Sequence, residues 1–372
     1  MVSAAPVHQP RAAGSPADAA RPLRIAIIAA LRHGLREPHA GGLERQTADL
    51  AHGLRAAGNG VTVFASADAD PDLGVEPIVP RETLLDLSPA AREDVSMLAE
   101  GFMVEHDAYL DLMLRLRDAD FDVVHDNSLH YIPPATADLL PMPLVKVLHT
   151  PPTPWIEAAL RRRPENLHVV SVSRDNAKRW PILPRAVIHN AIDLDRFEPT
   201  GPPVPRSAVW VGRVCPEKGP HHAVRAARRA GFSLDVIGPS SDPAYAEEVL
   251  RPELDDHRRW VGHLDSADVA ARIARASVAL VTPCWPEPFG LVVMEALACG
   301  TPVAGYRHGA LPELVDEDVA VLVDPDDEDG LAEAVLQAST LDRGRCRAHA
   351  VAHGSVERMT GDYLALYREL VA

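Results

Sequence analysis

The chain has 372 residues, 47% hydrophobic and 24% charged, which excludes a fibrous or wholly disordered protein and gives room for two domains of roughly 150 residues or more. With 53 acidic against 37 basic side chains the formal charge is -16, so the surface as a whole repels nucleic acid and anionic lipid and any anion site must be local. The four cysteines, Cys215, Cys284, Cys299 and Cys346, stand singly without a C-x-x-C pair, which argues against a zinc knuckle or a disulfide framework and fits a reducing cytoplasm.

Residues 1–22 are rich in Ala and Pro without periodicity and are expected to form a disordered tail, with no apolar core of a signal peptide. From Leu23 onward short apolar runs alternate with longer stretches of helical period: Leu23 to Ala30, Val61 to Phe64, Phe121 to Val124, Leu144 to Leu148, His168 to Ser171 and Val187 to Ile188. A proline-rich stretch within residues 199–206 interrupts the alternation as interdomain linkers do. The pattern then restarts with Ala208 to Gly212, Ser233 to Gly238, Arg259 to Gly262, Val278 to Thr282, Pro302 to Ala304 and Ala320 to Val323. Alternating strands and helices imply parallel sheets, so the expected class is α/β, with two Rossmann-like domains over residues 23–198 and 207–354. Residues 355–372 have the spacing of an amphipathic terminal helix. No run approaches the ~18 apolar residues of a membrane span, and nothing supports a peripheral membrane contact or fixes an oligomeric state.

Ligands of such sheets bind outside the carboxyl ends of the strands, so a two-domain version should use the cleft where those ends face each other. In the first half, the strand ending near Ala30 leads to Gly41-Gly42 at the head of a helical stretch, where paired glycines allow a phosphate to approach the backbone or simply make a turn. The fuller dinucleotide and Walker fingerprints are absent, which removes support for nicotinamide and ATPase readings. His149 follows the strand Leu144–Leu148, either as an imidazole facing a reacting group or as an ordinary hydrogen-bonding residue. His125 and Asp126 follow another strand in the same way. His130 and the pair His221-His222 lack ligand-spaced carboxylates or cysteines, and three D-x-D occurrences lie in turn-like contexts, so no metal is assigned.

In the second half, Arg213 and Lys218 flank the start of a helix headed by Pro220. Backbone N–H groups, a helix dipole and two cations make a site for a phosphate or diphosphate, the alternative being that Arg213 and Lys218 are solvated loop charges or pair with nearby acids. Further on, Glu287 precedes the N–H groups of Phe289, Gly290 and Leu291, and the helix that follows is apolar all round except for Glu295. A carboxylate in such a run needs a donor, either a ligand hydroxyl or an internal arginine.

Taken together, these segments resemble glycosyltransferase family 4, the retaining nucleotide-sugar-dependent transferases of the GT-B fold. The resemblance rests on Gly41-Gly42, Leu148-His-Thr150, Ser171-Val-Ser173 with Ile188-His-Asn190, Asp193-Leu-Asp-Arg-Phe197, the loop Val211 to Gly219, Glu287 to Leu291 with Glu295 eight positions beyond Glu287, and His308 to Glu313. It covers about residues 23–372. It implies two Rossmann-like domains about a central cleft, a terminal helix that packs back on the first domain, and metal-independent transfer of a hexosyl group to an acceptor hydroxyl with retention. By the same resemblance Arg213 and Lys218 hold the donor diphosphate, Glu287 contacts the donor sugar, Glu295 the ribose, and Gly42 and His149 lie across the cleft near phosphate and sugar. Ala191 stands where the family usually has glycine, and Cys284-Trp285 replaces small polar residues, which bears on linker geometry and the donor pocket. A nucleotide-sugar 2-epimerase or a non-catalytic GT-B subunit would share the architecture. The ordered Glu287/Glu295 pair favours transfer over the first, and the filled charged positions weigh against the second.

Overall fold

Runs of β-branched and other apolar side chains make the strands, and in this computed structural model, which describes residues 21–78 and 100–372, they assemble into two parallel sheets. The first contains β1 (Arg24–Ile28), β2 (Gly60–Ala65), β3 (Glu76–Pro77), β4 (Val123–Asp126), β5 (Leu144–Leu148), β6 (Leu167–Ser171) and β7 (Ala186–Val187) in the order 3-2-1-4-5-6-7. The second contains β8 (Ser207–Val211), β9 (Ser233–Ile237), β10 (Arg258–Gly262), β11 (Val278–Val281), β12 (Val303–Tyr306) and β13 (Ala320–Val323) in the order 10-9-8-11-12-13. Each sheet reverses its winding once, between β1 and β4 and between β8 and β11, and these switch points are where doubly wound sheets bind ligands. The strands are apolar because helices cover both faces; Ile25 to Ile28 and Val278 to Leu280 are at most 2% exposed.

Five helices position the cleft: α1 (Gly42–Ala56), α2 (Pro220–Ala230), α3 (Leu291–Ala298), α4 (Arg343–His353) and α5 (Val356–Val371). Gly290 heads α3 with φ +95, a conformation that side chains rarely adopt, and the apolar sequence after it buries the helix from Val293 to Ala298. The largest apolar cluster runs through both halves, from Ile25 and Val147 to Val209 and Val281, and includes Tyr363 and Tyr367 of α5. Among the described residues no helix is long and apolar enough to cross a membrane.

The expected tail lies outside the described residues except for Arg21 and Pro22, and Arg21 makes two hydrogen bonds, at 2.8 and 3.0 Å, to the buried carboxylate of Asp122. The chain passes between the halves at two adjacent places: Ile192 N donates to Gly354 O at 2.9 Å, at the entry and the return. Beyond Ile192 the segment is tied to the second half, since the Arg347 guanidinium donates to the carbonyls of Leu194, Phe197 and Ala298 at 2.7–3.2 Å. After Gly354, α5 returns and packs along α1.

Candidate active site

The carboxyl ends of the two sheets face one cavity of about 390 Å³. Gly41, Gly42, His149, Arg213, Lys218, Glu287, Phe289, Gly290, Leu291 and Glu295 all line it, so residues up to 254 positions apart in sequence converge on one volume. Beside them stand Arg45, Asn190, Trp285 and Thr150.

On the second-half wall, the loop after β8 carries both cations. Arg213 is 42% exposed and its only ionic neighbour among the described residues is Glu217, at a loose 3.9 Å, so its guanidinium is available to an anion. Lys218 is paired with a nearby acid rather than solvated. Its Nζ donates to Glu287 Oε2 at 2.5 Å, stands 5.5 Å from the Trp285 ring centroid, and shares that carboxylate oxygen with Trp285 Nε1 at 3.0 Å. One oxygen of Glu287 is therefore held by two donors, while Oε1 takes no hydrogen bond from the described residues. Gly219, with φ +60, turns the chain so that Pro220 opens α2 at its first position.

Glu295 is buried in α3, and its partner is Arg45 of α1, an ion pair that spans the cleft. Both readings of Glu295 thus keep a foundation: the arginine exists, but it comes from the opposite half and both groups line the cavity, where a ligand hydroxyl can compete for the carboxylate. The Arg45 guanidinium also lies 5.5 Å from the Phe197 ring, and its Nε is buried without a partner. The first turns of α1 and α3 meet here, and a Cβ on Gly42 would come within 2.7 Å of Leu291 Cδ1, so a larger residue would displace that side chain where the two positive helix ends share one space.

On the first-half wall His149 is 2.7 Å, through Nε2, from Asn127 Oδ1, and His125 Nε2 approaches the same oxygen at 2.9 Å. Burial, reinforced by Lys146 and His125, holds the His149 imidazole well below its ordinary pKa, so it is neutral. Lys146 is in turn paired with Asp126 at 3.1 Å, both fully buried. Among the described residues no group of three or more His, Cys, Asp or Glu is arranged to hold a metal ion.

Two lining or supporting residues escaped the sequence reading, Arg45 and Asn127, while Trp285, noted there only as a departure from the family pattern, lines the cavity beside Glu287. A signal for the first existed in the run Glu44 to Asp49, which is polar at every position but Ala48, yet Glu44, Gln46, Thr47 and Asp49 are all buried in α1. A helix that begins with buried polar side chains has something polar to meet.

Comparison with known proteins agrees with this geometry. Residues 40–196 match the family model for Glycosyltransferase Family 4, and residues 192–350 the model for Glycosyl transferases group 1. A glycogen synthase of Mycobacterium tuberculosis is 30% identical over 373 aligned positions that cover 87% of each chain. Among solved structures, the sucrose-phosphate synthase of Thermosynechococcus elongatus superposes with a TM-score of 0.72 at 22% identity, covering 94% of this chain and 99% of that one. Anabaena HepE in complex with UDP and glucose superposes at 0.70 and 18% identity, over 94% and 100% of the two chains. The chain belongs to glycosyltransferase family 4, and its two parallel-sheet domains are those of a GT-B glycosyltransferase.

Proposed function

We propose that the protein transfers a hexosyl group from a nucleotide-diphosphate sugar to an acceptor hydroxyl with retention of anomeric configuration. The observation that carries this reading is the placement of Arg213, Lys218 and Glu287 on one wall of a cleft whose other wall presents Gly42 and His149. Departure of a nucleoside diphosphate develops charge on phosphate oxygens, and Arg213, Lys218 and the N-terminus of α3 supply fixed positive potential where that charge appears. Glu287, with one oxygen uncommitted, accepts a hydrogen bond from a hydroxyl of the transferred sugar. Glu295 accepts from the ribose in exchange for Arg45. The C1–phosphate oxygen bond breaks, the acceptor oxygen bonds to C1 on the same face, and the acceptor proton passes to the departing phosphate oxygen.

In this reading the domains are a first, acceptor-side unit and a second, donor-binding unit, and the charge on the leaving group is met by two cationic side chains and a helix N-terminus. The test has two arms. Thermal-shift measurement against a set of nucleotides and nucleotide sugars identifies the donor, because a ligand of the folded state raises its apparent stability. Proton NMR of the first product formed from that donor in EDTA then reads the anomer: an α-configured gluco donor is expected to give an α-linked product. A β-linked product overturns retention, and activity that vanishes on chelation and returns with manganese overturns metal-independent transfer.

A further inference from the structure

Behind His149 lies a chain of buried hydrogen bonds that fixes the place of every proton in it. Thr47 Oγ1 donates to Leu43 O at 2.8 Å, so toward Asn127 it can only accept, and Asn127 Nδ2 donates to it at 3.0 Å and to Gln46 Oε1 at 3.0 Å. The amide is thereby oriented with Oδ1 toward the two imidazoles. A carboxamide oxygen only accepts, so His125 and His149 must both donate from Nε2. His125 is completely buried, and burial pushes its pKa down to about 3, so it is neutral and its Nδ1 is a lone pair. That lone pair is met by the hydroxyl of Tyr367, on α5, at 2.6 Å. Nothing in this chain can move a proton without leaving a buried group unpaired.

From this arrangement we infer that Asn127, His125 and Tyr367 are positioning residues that hold His149 as the Nε2–H tautomer, leaving Nδ1 as a hydrogen-bond acceptor for a substrate hydroxyl. The inference rests on the reading of the cleft as a sugar-transfer site, and it assigns the terminal helix a part in that site beyond packing. His149 lines the cavity, and its Nδ1 takes no hydrogen bond from the described residues. The ligand group that fits it is an O–H, since a neutral imidazole nitrogen in that tautomer can neither donate a hydrogen bond nor neutralise an anion. Among the described residues the charged and titratable groups about the two imidazoles are Lys146 on β5, Asp126 on β4 and, on α5, Tyr367, which bonds His125, and Tyr363, whose ring is 4.9 Å from that of His125. Lys146 and Asp126 compensate each other, so no net charge favours an imidazolium.

The test is the tautomer itself, read by 15N NMR of the full chain labelled at histidine. In the wild-type protein His149 and His125 are expected to show protonated Nε2 and bare Nδ1 with no titration between about pH 8 and pH 6. A protonated Nδ1 on His149, or an imidazolium in that range, overturns the proposal without recourse to any variant. Asn127→Asp replaces the amide by a carboxylate that stabilises imidazolium. It is expected to make His149 titrate near neutrality and to lower kcat at pH 6 about 10-fold relative to pH 8, with nucleoside diphosphate affinity within about twofold of wild type. A variant that folds but keeps the wild-type pH profile overturns the role of Asn127. Tyr367→Phe is expected to shift the His125 Nδ1 resonance and lower kcat at unchanged nucleotide affinity; unchanged spectra and kcat remove Tyr367 from the assignment. Since the spectra need no turnover, failure of every nucleotide sugar as a donor would refute the transfer reading while leaving the proton placement measurable.

Discussion

Lys218 faces two partners that make different demands on it. It neutralises Glu287 at 2.5 Å under the Trp285 ring, and with three N–H donors it can keep that contact while turning another toward a phosphate oxygen. Among the described residues Arg213 has no comparable partner and is the freer of the two. Single alanine changes at either position are expected to lower kcat by about 100-fold, as loss of a charge contact made in the transition state does, measured as steady-state turnover of folded protein. Because Lys218→Ala also strips Glu287 of its cation, the double variant Lys218→Ala/Glu287→Gln should lose less than the product of the two single losses. Asp49 gives a prediction of the opposite kind. Buried in α1 with Oδ2 unpartnered, its carboxyl is pushed from 3.8 up to about 7 by desolvation, against the pull of Arg196 and Arg45. A carboxyl whose folded pKa is raised binds its proton more tightly in the native state, so it withdraws stability as pH rises from its unfolded value to about 7, by up to about 4 kcal/mol. Asp49→Asn should therefore raise Tm at pH 8 and lose that advantage as the pH falls toward 4. An equal Tm difference at both ends would contradict the buried, unpartnered carboxylate.

The elements that carry the site were legible to different degrees, for reasons visible in their residues. Twelve of the strands announce themselves as short apolar runs, and α3 announces its burial by being apolar all round. The strand β3 does not, being two exposed residues, Glu76 and Pro77, at a sheet edge, where side-chain pattern carries no information. Gly41-Gly42 and Glu287 to Leu291 were readable as candidates for the cleft they line because strand, turn and helix start are all local in sequence. Arg45 with Glu295, separated by 250 positions, and Tyr367 with His125, separated by 242, were not, since only the folded chain brings them together. At Gly290 the local signal has an energetic content that can be measured. With φ +95 and a Cβ site 3.3 Å from Leu311 Cδ1, alanine there costs about 1–2 kcal/mol in backbone strain. Gly290→Ala is expected to lower Tm by a few degrees and to weaken nucleotide binding, because the strain is relieved by moving the N-terminus of α3. A variant with lowered Tm and wild-type affinity for the nucleotide would show that this helix end does not meet the ligand.

Across the whole molecule, the two halves touch over the cleft. The contact has a polar part, Arg45 with Glu295, and an apolar part, Leu291 against the backbone at Gly42. Arg45 and a ribose would claim the same carboxylate, so a nucleotide that uses Glu295 must break the pair that holds the halves together. Binding and domain separation are then coupled through one side chain. The paired crossings of the chain near Ile192 and Gly354 are the natural place for that movement, since they are the points at which the chain passes from one half to the other. Arg45→Met keeps an apolar stem beside Phe197 but removes the cation. It is expected to give a larger radius of gyration in donor-free small-angle scattering than the wild-type protein, and to return to the wild-type nucleotide-bound radius at saturating nucleotide, where the ligand bridges the walls in place of the ion pair. Glu295→Gln, which removes the same pair from the other side, should open the free protein equally but close less at the same nucleotide concentration, because it also loses the carboxylate proposed to accept from the ribose. Scattering curves for both variants that superpose on wild type without ligand would mean that the apolar contact at Gly42 and Leu291 holds the halves by itself, and that the ion pair belongs to ligand recognition alone.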